Sequence, residues 1–281
     1  MPATLRKNLL PRLRRIRHVA LDMDGTIYTD KTLFPATLPF LNLLKELDIG
    51  HTFLTNNPSK SVAGYLAHLR GMGIKATAEQ LYTSTQATID FLKRNHPKIR
   101  RLFVLGTPGL GDELQAAGFK LMPDDPKSPP DAVLVGFDLS LTYTRLCRAA
   151  WWIKKAKPFF ATNPDRICPT NEPTVLVDCG SITAALEQAT GRAPDAVPGK
   201  PNPAMLRGVL NRHSLTPQSL AMVGDRLYTD MTMARRAGAL AVLVLTGEAT
   251  VAEAKKFVPK PDLVVRTLAE FGELLERSRR S

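Results

Sequence analysis

Short apolar runs alternate with helical patterns along most of this chain, and the clearest runs end in polar turns. Residues 18–23 (HVALDM) lead into Asp24-Gly25-Thr26, residues 49–54 (IGHTFL) into Thr55-Asn56-Asn57-Pro58-Ser59, and residues 219–223 (SLAMV) into Gly224-Asp225. Similar runs occupy 101–105, 132–136, 239–245 and 262–265. Between them, Leu38, Leu41 and Leu44 recur at helical spacing within 36–47, and helical patterns cover 59–70, 142–156, 181–190 and 229–237. Strands that alternate with helices predict an α/β fold, a doubly wound parallel sheet with helices on both faces. Ligands of such sheets gather at the carboxyl ends of the strands. The polar turns are therefore where chemistry is expected.

Composition narrows the field. The 281 residues are 44% hydrophobic and 23% charged, the balance of a globular protein with an ample core. The longest apolar stretch, Ala237–Leu245, is far shorter than the ~18 residues of a membrane span. Cys147, Cys168 and Cys179 form no CxxC pair, which disfavours a disulfide framework or structural zinc and favours a reducing compartment. The net charge is +12, and residues 1–17 hold six basic residues and no acid. A basic surface draws anionic substrates. The arm itself reads as a solvated helix lying on the domain, with nucleic acid disfavoured as a partner, and it lacks the apolar core of a secretory signal. The expected location is cytoplasmic.

Four turns carry candidate chemistry. Asp22 and Asp24 lie two residues apart at a strand end, with Gly25 free to turn the backbone sharply. The pair suits a nucleophile beside an acid/base, or a hard cation that takes oxygen ligands. A calcium loop is excluded, because its glycine and acid positions hold Ile27 and Leu33. At Thr55-Asn56-Asn57, a hydroxyl and neighbouring amides can bind phosphate oxygens or simply cap the next helix. Lys200, between Gly199 and Pro201, sits on a fixed turn and can hold a phosphoryl group against an anionic nucleophile. Asp225 can reach a metal, and Asp230 can orient its surroundings.

Together, DMDGT (22–26), TNN (55–57), GK (199–200) and GDRLYTD (224–230) resemble the motif set of the haloacid dehalogenase phosphohydrolases. TNNPS, ATNPD (161–165) and GKP (199–201) resemble its NagD-like, para-nitrophenylphosphatase subgroup. Only 31 residues separate Asp24 from Thr55, whereas 145 separate Thr55 from Lys200, room for a large insertion. The resemblance implies a Rossmann-like core over 1–96 and 195–281, with an α/β cap over 97–194.

It also implies roles. Asp22 would be the nucleophile and Asp24 the acid/base. Thr55, Asn56, Asn57 and Lys200 would bind the phosphoryl group. Asp22, Asp24 (through its carbonyl) and Asp225 would hold Mg²⁺, with Asp230 supporting them. In the cap, Asn163, Asp165 and Cys168 would select the substrate. Where pyridoxal-phosphate phosphatases of this subgroup carry a substrate-contacting His, this chain has Cys168, which argues against that substrate. The implied activity is hydrolysis of small phosphorylated metabolites by a homodimer joined through its cap. A catalytically silent binding protein on the same scaffold is the alternative. Dehalogenation conflicts with Asp24, which phosphate chemistry needs and that reaction does not.

Overall fold

The computed structural model describes residues 9–168, 170 and 172–280. They form two compact units. One comprises the described residues through Thr55, Leu69–Tyr82 and the described residues from Pro201 onward; the other comprises Asn56–His68 and Thr83–Lys200.

The first unit is built on a six-stranded sheet. Its order is Leu263–Val265, Leu240–Val244, Leu220–Gly224, His18–Asp22, Gly50–Thr55 and Leu81–Thr83. The first five strands in that order pair in parallel. His18–Asp22, Leu220–Gly224 and Leu240–Val244 are buried at every position, as strands covered on both faces must be. From the central His18–Asp22 strand the chain builds outward on one side, then returns to place Leu220–Gly224 on the other. The reversal opens a crevice at the carboxyl ends of these two strands, where doubly wound sheets bind ligands.

Register fixes what lines that crevice. Leu21 pairs with Val223 and Asp22 with Leu54, so Thr55 and Asp225 each lie one residue beyond the level of Asp22, and all three emerge at the ends of three adjacent strands.

The described part of the basic arm is a helix, Leu9–Arg15, that buries Leu9 and Leu13. Two of its arginines have structural partners. Arg12 pairs with Asp262 at 2.6 Å, Arg14 Nε donates to the Ser278 carbonyl at 2.7 Å, and Arg279 donates back to the Ile16 carbonyl at 2.8 Å. Guanidiniums on the carbonyl ends of helices offset the negative end of the helix dipole.

The second unit has its own four-stranded parallel sheet, ordered Lys120–Leu121, Arg101–Leu105, Ala132–Val135 and Phe159–Ala161. Alternate residues face opposite ways. Phe103, Leu105, Val133 and Val135 pack with Trp152, Ile153 and Ile182, from helices Tyr143–Lys154 and Cys179–Thr190. Leu102, Leu134 and Phe160 pack with Leu92, Leu110 and Leu114, from helices Ser84–Asn95 and Pro108–Ala116.

One expected helix differs in kind. The pattern over 229–237 resolves into a π-helical turn, Leu227–Met231, followed by an α-helix, Thr232–Ala237. The widened turn lets the Asp230 carboxylate fold back to accept the Arg226 amide at 3.2 Å. Such bulges concentrate at functional sites.

Candidate active site

In the first unit, Asp22, Asp225 and Asp230 each offer a carboxylate oxygen, and these atoms lie within 4.8 Å of one another. All three residues are buried. Gly25 and Gly247 pack against the Asp225 carboxylate and Gly224 against Asp230, so closely that a Cβ at any of them would overlap those acids. Gly25 also has a φ of +80°, which glycine adopts without strain.

Asp225 Oδ2 accepts the Glu248 amide at 2.7 Å, while its buried Oδ1 has no hydrogen-bond partner. Burial, reinforced by the negative charges of Asp22 and Asp230, pushes the Asp225 carboxyl up to about 8. Crowded buried acids with an unsatisfied oxygen are the donor set a hard divalent cation takes. The residues therefore fit Mg²⁺.

Around this cluster, Thr26 Oγ1 donates to Asp22 Oδ2 at 3.3 Å, and the buried Tyr28 hydroxyl donates to Asp24 Oδ2 at 3.4 Å. Asp24 is only half-buried, and it bridges to Tyr28 through the backbone. Thr55 is buried at the end of its strand. Thr246 Oγ1 holds the Gly25 carbonyl at 2.6 Å. Sequence reasoning missed Tyr28 and the Thr246-Gly247-Glu248 turn. That turn follows the strand Leu240–Val244, so the strand-end rule was the signal that could have found it.

The second unit gathers the remaining candidates. The Asn56 side chain pairs with the Lys200 backbone, its Oδ1 accepting the Lys200 amide at 2.7 Å and its Nδ2 donating to the Lys200 carbonyl at 3.1 Å. Lys200 is 2% exposed. Asn57 Oδ1 accepts the Ser59 amide at 2.8 Å, and its Nδ2 lies 3.5 Å from Cys168 Sγ. The tie between Asn57 and Cys168 brings a motif residue against the short hairpin Ile167–Cys168/Leu176–Val177. Asn163 is fully buried, donating to the Asn56 carbonyl at 2.9 Å and accepting the Asp165 amide at 2.9 Å.

Comparison with known proteins places this arrangement. Residues 19–120 match the family model for haloacid dehalogenase-like hydrolases, and residues 197–271 match a HAD-hydrolase-like model. The chain is similar to the ribonucleotide monophosphatase NagD of Escherichia coli K12, at 31% identity over 91% of this chain and 98% of the relative. Among solved structures, it is similar to the 4-nitrophenylphosphatase of Thermotoga maritima, with 39% identity, a TM-score of 0.87, and 93% and 98% coverage of the two chains. It is also similar to the glycerol phosphate phosphatase of Mycobacterium tuberculosis in complex with magnesium, with 30% identity, a TM-score of 0.85, and 93% and 78% coverage. With Asp22 of its first motif gathered against the acids of its GD motif, the chain belongs to the haloacid dehalogenase-like hydrolases, in their NagD-like phosphatase branch.

Proposed function

We propose that this chain is a Mg²⁺-dependent phosphatase of small phosphomonoesters that works through an aspartyl-phosphate. The observation that carries the reading is the convergence of Asp22 and Asp225, from adjacent strand ends, with Asp230 of the following turn, a buried Asp225 oxygen being left unsatisfied. Relatives that act on nucleotides, 4-nitrophenyl phosphate and glycerol phosphate support the substrate class.

In this reading an Asp22 oxygen attacks phosphorus in line, and the bond from phosphorus to the ester oxygen breaks. Asp24, with its carboxyl held beside Tyr28, protonates the departing oxygen. It then takes a proton from water, whose oxygen attacks the phosphoryl group. Phosphate leaves and the Asp22 carboxylate returns. Thr55, Asn56 and Asn57 hold the phosphoryl oxygens, and the Lys200 ammonium offsets their charge. Asp22, the Asp24 carbonyl and Asp225 would hold Mg²⁺, with Asp230 orienting that set. The bound ion would shield the negative charge of the phosphoryl group and nucleophile.

In this reading residues 97–194 are the cap that selects the substrate through Asn163, Asp165 and Cys168, the last of which lies against Asn57. The test is phosphate release from a panel of sugar phosphates, nucleoside monophosphates, glycerol phosphate and 4-nitrophenyl phosphate, with Mg²⁺ and with chelator. Release that needs both Mg²⁺ and Asp22, and that Asp22→Asn abolishes, supports the reading. No release from any ester would sink it.

A further inference from the structure

Asn56 is held from both ends, and the pattern of those contacts gives two residues a role that the motifs leave open. Its carbonyl accepts two hydrogen bonds, from Ser84 Oγ at 2.6 Å and from Asn163 Nδ2 at 2.9 Å. Two donors fill both lone pairs of a carbonyl oxygen. The oxygen and one N–H of its side-chain amide make a two-point pairing with the Lys200 backbone.

The surroundings leave little slack. Ser84 and Asn163 are both 0% exposed. Ser84 opens the helix Ser84–Asn95, whose start is fixed by reciprocal bonds between Thr83 and Gln86. Gly199 donates to the Thr162 carbonyl at 3.0 Å, and a Cβ on it would come within 2.9 Å of Asn56 Oδ1 and 3.1 Å of Asn163 Cβ. A helix start, a strand-end loop and the Gly199-Lys200 turn thus meet on one asparagine.

We infer that Ser84 and Asn163 are positioning residues of the phosphoryl-transfer reaction, acting through Asn56 to fix the backbone from which Lys200 reaches the phosphoryl group. The inference rests on the phosphatase reading above. A lysine has four rotatable carbons, so its ammonium is placed only as well as its backbone is held. A fixed ammonium counts most where charge develops, in the transition state, and less in the bound ground state. One side-chain N–H and the side-chain oxygen of Asn56 thus serve Lys200, beside the residue's part in holding the phosphoryl oxygens.

The test compares wild type with Ser84→Ala, which deletes one donor, and Ser84→Thr, which restores it. The expected result for Ser84→Ala is a fall in kcat/KM of about 10-fold carried by kcat, with KM within about twofold. Inhibition by vanadate, which adopts the transition-state geometry, weakens by the same factor, whereas inhibition by phosphate moves by less than about twofold. Ser84→Thr recovers most of the rate. Asn163→Asp, which keeps the acceptor for Asp165 and loses the donor to Asn56, shows the same split. In a Lys200→Arg background, Ser84→Ala adds less than about twofold, because the placement it protects is already lost.

Unchanged kinetics in a folded Ser84→Ala enzyme would overturn the inference and leave the phosphatase reading standing. So would equal weakening of vanadate and phosphate, or a full loss repeated in the Lys200→Arg background. A wild-type enzyme silent on every ester would instead refute the phosphatase reading, and this inference with it.

Discussion

Asp225→Asn should leave the metal-free protein more stable and the enzyme inactive. The acidic oxygens of Asp22, Asp225 and Asp230 lie within 4.8 Å of one another, so each like-charge pair costs about 3.5 kcal/mol at an effective dielectric of about 20. Two such pairs exceed the cost of protonating Asp225 instead. With its carboxyl raised from 3.8 to about 8, that cost at pH 7 is about 4 kcal/mol. Proton uptake is the cheaper escape, and about 4 kcal/mol is the ceiling on what asparagine can restore. Asparagine keeps an oxygen for the Glu248 amide and brings no charge.

Thermal melts of chelator-treated protein measure the effect. At about 2–4 °C per kcal/mol, the variant should melt several degrees above wild type, by on the order of 10 °C at most. Mg²⁺ should raise the melting point of wild type and leave the variant's unchanged. The folded value is raised, so this group favours the native state below its ordinary value and loses that contribution as pH rises toward 8. The gap between variant and wild type should therefore widen from pH 5 to pH 8. An asparagine variant that melts below metal-free wild type, or a wild type indifferent to Mg²⁺, would refute the reasoning.

Other consequences can be measured separately. His18, buried against Thr52 with its ring centroid 4.4 Å from that of His213, has its imidazole lowered from 6.5 to about 3, chiefly by burial. It therefore favours folding above pH 6.5 and costs about 2 kcal/mol by pH 5; His18→Gln should remove that share of the acid destabilisation in urea titrations, and equal pH dependence in the two proteins would contradict it. Cys179 is fully buried with its thiol pushed up to about 11, whereas Cys147 is exposed. A thiol reagent should therefore label Cys147 in the native protein and Cys179 only after unfolding, and native-state labelling of Cys179 would count against the packing described. Gly25→Ala should lower kcat/KM by about 100-fold or more, because its Cβ meets the Asp225 carboxylate and its φ is positive; near-normal turnover would show that the turn has slack.

Much of the arrangement was legible before any coordinates, for a reason particular to parallel sheets. Apolar runs such as HVALD and LAMVG mark strands buried on both faces, and the polar residue that ends each run must sit at the sheet's carboxyl edge. Asp22, Thr55 and Asp225 were found that way. Other parts were harder. The helix Ser84–Asn95 begins with Ser-Thr-Gln-Ala-Thr, whose polar and β-branched residues give no apolar stripe. Its start is announced by the Thr83/Gln86 capping pair, and its apolar residues Ile89 and Leu92 come only in the second half. The π-turn at Leu227–Met231 has no period of its own and depends on Asp230 folding back onto Arg226. Asn163 reads in sequence as one polar residue of a loop, and only packing shows its amide committed to Asn56. Tyr28 likewise falls in no motif, and proximity alone reveals its bond to Asp24.

The most direct test of the central claim is to look for the phosphoryl group on Asp22. Enzyme with Mg²⁺ is mixed with a turned-over phosphomonoester, quenched in acid within one turnover, digested, and its peptides weighed. The account predicts a hydroxylamine-labile phosphoryl group on the peptide carrying Asp22-Met23-Asp24, absent from Asp22→Asn. Turnover with no phosphoryl group on that peptide, or with turnover surviving in Asp22→Asn, would contradict it.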